Sequence, residues 1–452
     1  MAINSIFSIA RSSLFAHQQA LAVTSTNLAN ANNPNYSRQV AYFSTTPPDY
    51  RARFTFGSGV AVEDVMRIRN SVTDNQIRMN NQEFYDASKR ASVLSQIESL
   101  FLEPSEFGLS NLLTKFFNSW DEVALDPQSL ALRTDVVQSA ELLSEKIKSI
   151  YSGISQTKID MYSEAKEMTA NINTIIKQIH AVNKQIYEAS VVNNDANDLL
   201  DKRDALLEEL SQYVNINVSF DENNVANVSI GGVFAVDGLH HKEFKIVKDG
   251  DQLELFTTED DVSATLSGGV LNGLLDTYNV ELPKQLDTLD TLANTLMESV
   301  NAIHLKGYSL TDPPQTGFEF FTKYENGVLE INKDLVEDPF NLAISEDGTT
   351  GNNNIALELA KLKGETVIDG KTISEYYSDF ITDVANEINL QSNNAESYSL
   401  VLSQLQQAKL EHSGVSTDEE MMNVMKYQRS YDAAAKLISV ADDLLETLLT
   451  LV

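Results

Sequence analysis

Cysteine is absent from this 452-residue chain, which excludes disulfides, thiolate nucleophiles and cysteine-held metal. Proline is scarce, with 9 residues, and tryptophan occurs once; few prolines leave room for long unbroken helices. No run of 18 apolar residues occurs, so no membrane insertion is expected. The first residues carry one basic side chain, Arg11, among Ser5, Ser8, Ser12 and Ser13. That stretch lacks the apolar heart of a signal peptide, so any export is expected to proceed without a cleaved leader. Basic residues are also in short supply, 33 against 65 acids, for a net charge of −32. Such a body repels phosphate, and no nucleic-acid partner is expected. Residues 1–62 depart from this balance, with four arginines against one acid, Asp49, whereas residues 415–452 hold three basic and seven acidic side chains. Opposite charge weakly favours pairing of the two ends, within the limits set by salt screening.

What is present is periodicity at both tips. Val424, Tyr427, Tyr431, Ala434, Ile438, Ala441, Leu445, Leu448 and Val452 alternate at spacings of three and four, uninterrupted by Pro or Gly. Phe7, Leu14, Leu21 and Leu28 fall one heptad apart, with Ile3 and Ala10 filling the intervening turns. A 3.5-residue period is the seam of a helix that packs on another helix. Two such seams predict that the termini meet in an elongated coiled coil, the plan of a self-assembling polymer subunit and not of an enzyme. Thr417 and Glu420 form a T-x-x-E pattern, predicting a capping box at the start of the last helix.

Between the tips the order is helix, β, helix. Residues 3–31 predict a helix of about 43 Å at about 1.5 Å per residue, closed before Pro34. A short β region follows, with Pro47-Pro48 and Gly57-Ser58-Gly59 as turn markers. Helical periodicity returns at Ile77 and runs, with breaks at Glu103-Pro104 and Asp126-Pro127, to Val192; Asn193–Asn197 interrupts it, and a short helix spans Asp198–Gln212. The period then switches to two at Val214, Ile216, Val218 and Phe220, and turn signals divide 213–267 into a meander of strands. Helix resumes through Leu282–Ile303, with Pro283 at its start or at a kink. After an irregular, strand-prone stretch at 307–346, two last helices cover 371–413 and 417–452, split by Gly414. The predicted fold is mainly α with β insertions: terminal coiled-coil helices, a long-helix bundle shaft and a small antiparallel β domain. Its expected segments are a terminal helix 1–33 pairing with 417–452, the first half of the shaft 34–212, the β domain 213–268, and the second half of the shaft 269–416.

Catalytic chemistry finds no foothold. The histidines lack metal-ligand spacing, and His240-His241 sits beside a predicted turn. Asn193, Asp195 and Asn197 imitate the first ligands of a calcium loop, but Asp198 stands where glycine is required and Asp204 where a bidentate Glu belongs. Gly231-Gly232 and Gly268–Gly273 lack the Lys-Ser/Thr of a phosphate loop. No catalytic, cofactor-binding or metal-ligating residue is singled out, and no cofactor is expected.

One constellation stands apart: Thr26-Asn27-Leu28-Ala29-Asn30-Ala31-Asn32-Asn33-Pro34-Asn35-Tyr36-Ser37-Arg38. Asn27, Asn30 and Asn33 lie three apart, nearly on one face, where they can bond free backbone groups at a helix end. This segment resembles the S/T-N-x-x-N-x-x-T-P-G-Y-S-R signature of bacterial flagellar rod, hook and hook-associated proteins. Asn33 and Asn35 replace the usual Thr and Gly, and Asn tolerates left-handed geometry. Asn27, Asn30, Asn33, Pro34, Tyr36, Ser37 and Arg38 are accordingly the expected assembly motif. The run Gly414–Tyr431 looks like the start of the same family's closing helix. Within the family, Asn197–Asp204, the stretch after Gly268-Gly269 and Gly414–Glu420 are most similar to hook-associated members that join hook to filament. The resemblance implies a structural adaptor at that junction, extracellular and exported with the flagellum. It implies as partners further copies of the chain, hook protein, a second hook-associated junction protein, and an export chaperone on the C-terminal helix. A hook or rod subunit is the nearest alternative; an enzyme displayed on the flagellum from residues 213–346 is a more distant one.

Overall fold

Residues 2–47, 57–192 and 196–450 are described by the computed structural model. The chain opens with helix α1 (Ala2–Ala29), a hairpin of β1 (Gln39–Thr45) and β2 (Val60–Arg67), then α2 (Ser71–Phe101), α3 (Leu109–Leu125), α4 (Leu130–Val191) and α5 (Asn197–Tyr213). Strands β3 (Ile216–Phe220), β4 (Ala226–Ile230), β5 (Val233–Asp237), β6 (His240–His241), β7 (Phe244–Asp249), β8 (Gln252–Thr257) and β9 (Ser263–Ala264) follow. Next come α6 (Val270–Asp276), α7 (Leu282–His304), the hairpin β10 (Phe321–Glu325) and β11 (Val328–Ile331), α8 (Lys333–Glu337) and α9 (Asn354–Lys361). Two long helices, α10 (Ile373–Ser413) and α11 (Thr417–Thr450), close the chain. The architecture is mainly α with β insertions.

Helix α4 is the spine. Its 62 residues extend about 93 Å at about 1.5 Å per residue, and the Ser129 hydroxyl accepts the Leu132 N–H at its start. Val136, Ala140, Leu143, Ile147, Ile150 and Ile154 are buried, and the stripe resumes at Ile172, Ile175, Ile179, Val182 and Ile186. Spacing of three and four keeps these residues on one face, which α3 and α5 cover.

The β layer lies on the same helix as two antiparallel sheets, β3-β4-β5-β6 and β7-β8-β9. Two asparagines of α4 fasten it. Asn183, fully buried, donates to the Ala226 carbonyl at 2.8 Å and accepts the Ala226 N–H at 3.1 Å. Asn173 does the same to Phe244, at 2.8 Å each way. Strand and helix side chains belong to one apolar cluster, which runs from Val93 to Val384. Where the chain re-enters the helical layer, Gly269 has φ +89° and an added Cβ would stand 2.5 Å from the Tyr213 carbonyl carbon. Only glycine fits there. Thr277–Glu281 form a π-helical turn between α6 and α7 with right-handed torsions on both sides. Pro283 follows in the first turn of α7, where its missing N–H costs little.

The two tips pack on each other: α1 runs along α11, and α2 runs along α10. None of the buried residues of α1 or α11 joins the main cluster, so this contact is separate from the shaft core. Its line differs from the expected seam. The buried residues are Ala10, Ala16, Ala20, Thr24 and Asn27 on α1, and Glu420, Ala434 and Ala441 on α11. Phe7, Leu14, Leu21 and Leu28 flank the line half-buried, as do Tyr427, Ile438 and Leu445, whereas Tyr431 is exposed. Small side chains let two helices approach closely, so the contact follows alanines and leaves the larger apolar groups on its edges. Pro48, Asn193–Asp195, Val452 and the side chains of Ile3 and Leu448 lie outside the described residues.

The expected capping box also moves. Ser416, not Thr417, caps α11, its hydroxyl accepting the Glu419 N–H at 3.4 Å. Glu420 turns away to bond α1 and Arg38 instead. A complete capping box sits at the other long C-terminal helix, between Thr372 and Glu375 of α10.

Candidate functional site

The loop after α1 is the point where distant parts of the chain converge. Asn27, 1% exposed, is its hub. Its Nδ2 donates to the Gln39 carbonyl at 2.8 Å and to Glu420 Oε2 at 3.0 Å, while its Oδ1 accepts the Tyr36 hydroxyl at 2.8 Å and the Gln39 N–H at 3.0 Å. One amide thus closes the loop on itself and joins it to α11. Arg38 adds a second tie: its Nε donates to Glu420 Oε1 at 2.8 Å and its guanidinium lies 3.3 Å from Glu419. The Arg38 N–H bonds the Ser413 carbonyl at 2.9 Å, and its own carbonyl accepts from Ile68 at 2.8 Å. Glu420 is 2% exposed, and a buried carboxylate is tolerated only when every oxygen is paired, as here.

The other side of the loop grips α5. The Ser37 N–H and hydroxyl donate to the two oxygens of Asp201 at 3.0 and 2.6 Å. Arg67 Nη1 reaches Asp201 at 2.6 Å and Asp204 at 3.1 Å, and Arg69 joins Asp204 at 3.3 Å and Asp74 at 2.8 Å. Arg203 completes the group on Asp204 at 2.7 Å. Burial alone would raise the Asp204 carboxyl, but Arg203, Arg69 and Arg67 outweigh it and hold the group below its ordinary value. Burial, with Asp198, Asp201 and Glu420 nearby, pushes the Tyr36 phenol well up, so Tyr36 remains a hydrogen-bond donor. The charge pairing follows two periods: Arg67 and Arg69 share one side of an extended strand end, and Asp201 and Asp204 share one side of a helix.

Further along the tip, His17 of α1, Phe43 of β1 and Tyr427 of α11 stack in a ring trio with centroids 5.6 to 6.1 Å apart. Burial and Lys426 lower the His17 pKa, which keeps the ring neutral. The hairpin approaches α1 closely at Gly59, where φ is +120° and a Cβ would stand 1.9 Å from the Ser12 hydroxyl.

Among the expected motif residues, Asn27, Tyr36, Ser37 and Arg38 belong to this knot. The Asn30 side chain donates to the Thr26 carbonyl, one turn back at the end of α1, and Asn33 shapes a local turn by accepting the Asn35 N–H. Pro34 is exposed and, with Asn33, lines a groove of about 810 Å³ against the α10–α11 turn. Asp201, Asp204, Arg67, Arg69, His17 and Phe43 were not among the expected site residues. The complementary i,i+2 arginines and i,i+3 aspartates are the signal that points to the first four.

A chain whose two ends pair as helices outside the main core, locked to a long helical shaft by one polar knot, has the architecture of an axial subunit of a helical assembly. Residues 94–321, half of the chain, match the family described as flagellar hook-associated protein FlgK helical domain, and the chain belongs to that family. Residues 406–451 match the family described as flagellar basal body rod FlgEFG protein C-terminal. Flagellar hook-associated protein 1 of Bacillus subtilis is 28% identical, the match covering 97% of this chain and 96% of that protein. Flagellar hook-associated protein 1 of Salmonella typhimurium is 25% identical, covering 99% of this chain and 100% of that protein. In fold, the chain is similar to the flagellar hook junction protein FlgK from Burkholderia pseudomallei, with a TM-score of 0.63 at 14% identity over 74% of this chain and 99% of that one.

Proposed function

We infer that this protein is a structural adaptor subunit of the bacterial flagellum, assembling at the junction between hook and filament. The match over residues 94–321 favours this over a hook or rod subunit, because the rod-type match is confined to the C-terminal helices. The observation that carries the mechanism is the double grip of the Asn27–Arg38 loop, on Glu420 of α11 and on Asp201 of α5. A subunit that transmits force between two tubes must hold its assembling tip at a set angle to its body, and this knot does so through buried, fully paired charge. Burial of large apolar side chains is worth about 1.5–3 kcal/mol each, and the tip leaves Phe15, Met422, Leu437, Val440 and Leu444 exposed in the single chain. Neighbouring subunits gain that energy on stacking. The tips 1–33 and 417–452 therefore serve as the assembly module, and 34–416 as the body.

The finer proposals follow from this reading. The subunit forms a homo-oligomer, contacts hook protein on one side and a second junction protein on the other, and leaves the cell through the flagellar export channel. The α11 stripe is engaged first by an export chaperone and later by neighbouring tips. Leu445→Asp or Leu448→Asp is expected to leave the body folded and abolish incorporation at the hook; normal filament growth in either variant refutes the assembly module. Equal chaperone co-purification with and without residues 421–452 dismisses the chaperone site.

A further inference from the structure

The β6 edge of the β3-β4-β5-β6 sheet rests on α4 through two imidazoles that the assembly reading does not use. The rings of His180 on α4 and His241 on β6 face each other with centroids 4.6 Å apart. Register explains why His241 is the one that meets the helix. His241 pairs with buried Val236, whereas exposed His240 pairs with exposed Asp237. Cross-strand partners share a face, so Asp237 and His240 turn outward together. Three residues along α4 from His180, the Asn183 amide holds the turn of the same hairpin, donating to the Gly238 carbonyl at 3.3 Å. Strand β6 is otherwise lightly held: it is the last strand of its sheet, two residues long, and the Lys242 N–H beyond it bonds the Ala235 carbonyl at 2.9 Å.

The contact suits neutral rings and opposes charged ones. His180 Nδ1 is sealed from solvent without a hydrogen-bond partner. An imidazolium donates from both nitrogens, so a protonated His180 necessarily holds a buried N–H with no acceptor. The charges that act on His180 are all positive: His241 and His240 on β6, and Lys184 one turn along α4. Carboxylates beside the hairpin are engaged elsewhere, Glu243 with Lys177 at 2.9 Å and Asp260 with Lys242 at 2.7 Å. Burial, followed by the three positive neighbours, lowers the His180 pKa from 6.5. The neutral ring therefore stabilises fully above pH 6.5, and that contribution is lost as pH falls below it through the depressed folded value. We propose that β6 and its turn are an acid-released latch: neutral His180 and His241 hold this edge on α4, and protons entering the pair drive it off while the inner strands stay in place.

Hydrogen exchange of the full-length chain, read by peptide mass spectrometry from about pH 8 to about pH 5 and corrected for intrinsic amide chemistry, tests the latch. Peptides covering 237–243 are expected to lose protection about tenfold or more across that interval, while peptides of β4 keep theirs. His180→Phe and His241→Phe each keep a ring in the contact without a charge, and each is expected to abolish the loss. His304→Phe, which removes a titrating histidine of the shaft core, is expected to leave the loss in place. Protection of 237–243 that does not change with pH overturns the latch. So does a loss that persists in His180→Phe or His241→Phe, one that His304→Phe removes, or an equal loss in β4.

Discussion

Replacing Arg38 by leucine isolates the energy of the tip from that of the body. The substitution leaves the Glu420 carboxylate, 2% exposed, with only the Asn27 amide at 3.0 Å and a longer contact to Asn423 at 3.5 Å. Removing one partner of a buried pair costs about 3–5 kcal/mol. Arg38 itself is 24% exposed, so water replaces part of the lost solvation, and about 2–3 kcal/mol is the appropriate figure. At about 1.4 kcal/mol per tenfold, opening of the tip becomes roughly 30- to 150-fold more frequent. Hydrogen exchange followed by peptide mass spectrometry reads this directly: peptides of α1 and α11 are expected to exchange faster by that factor, while α4 and α7, in a separate apolar cluster, keep their protection. Arg38→Leu/Glu420→Leu removes the orphaned charge and is expected to recover part of the loss. Unchanged exchange in α1 and α11, or an equal rise in α4, refutes the reasoning.

Other outcomes follow from particular contacts. His304 is fully buried, its Nδ1 2.7 Å from the Phe318 carbonyl and its Nε2 accepting the Ala343 N–H at 3.0 Å, and burial lowers its pKa from 6.5 to about 4. Because the unfolded chain binds the proton first, His304 stabilises fully above pH 6.5, and about 3 kcal/mol is lost as pH falls toward 4. Denaturation monitored by the fluorescence of Trp120, 6.2 Å from the His304 ring, is expected to show that loss, and His304→Phe to flatten it over the same window. Asn183→Leu strands the Ala226 backbone groups and is expected to cost about 2–4 kcal/mol in urea denaturation, loosening the β layer from α4. Gly269→Ala forces a Cβ against the Tyr213 backbone at a left-handed φ and is expected to cost more than about 1 kcal/mol; an unchanged melting temperature counts against the close approach.

Much of the helical body was legible because its period is local. The stripes of α4 and α7, the switch to period two at Val214 and the breaks at Gly414 and Asn193–Asn197 need only neighbours along the chain to be read. Helix α9, at eight residues, is too short to declare a period. At the tips, the heptad of large side chains Phe7, Leu14, Leu21 and Leu28 predicts the seam, but close approach selects small side chains, and the contact runs through alanines. Thr417 and Glu420 match a capping box as well as any pair can. Ser416 takes the cap because the turn from Ser413 to Val415 sets the helix start one residue earlier than the pattern, freeing Glu420 for a partner on α1.

The sequence by itself determined the element types, the apolar faces and the presence of two helical tips, because periodicity and turn chemistry act over a few residues. It also held both halves of the knot, the Asn27–Arg38 loop and the Asn197–Asp204 helix start, as separate motifs. Only the tertiary structure decided that they meet. Asn27 and Glu420 are 393 residues apart, and Ser37 and Asp201 are 164 apart, separations at which spacing carries no information and chain packing alone chooses which charge faces which.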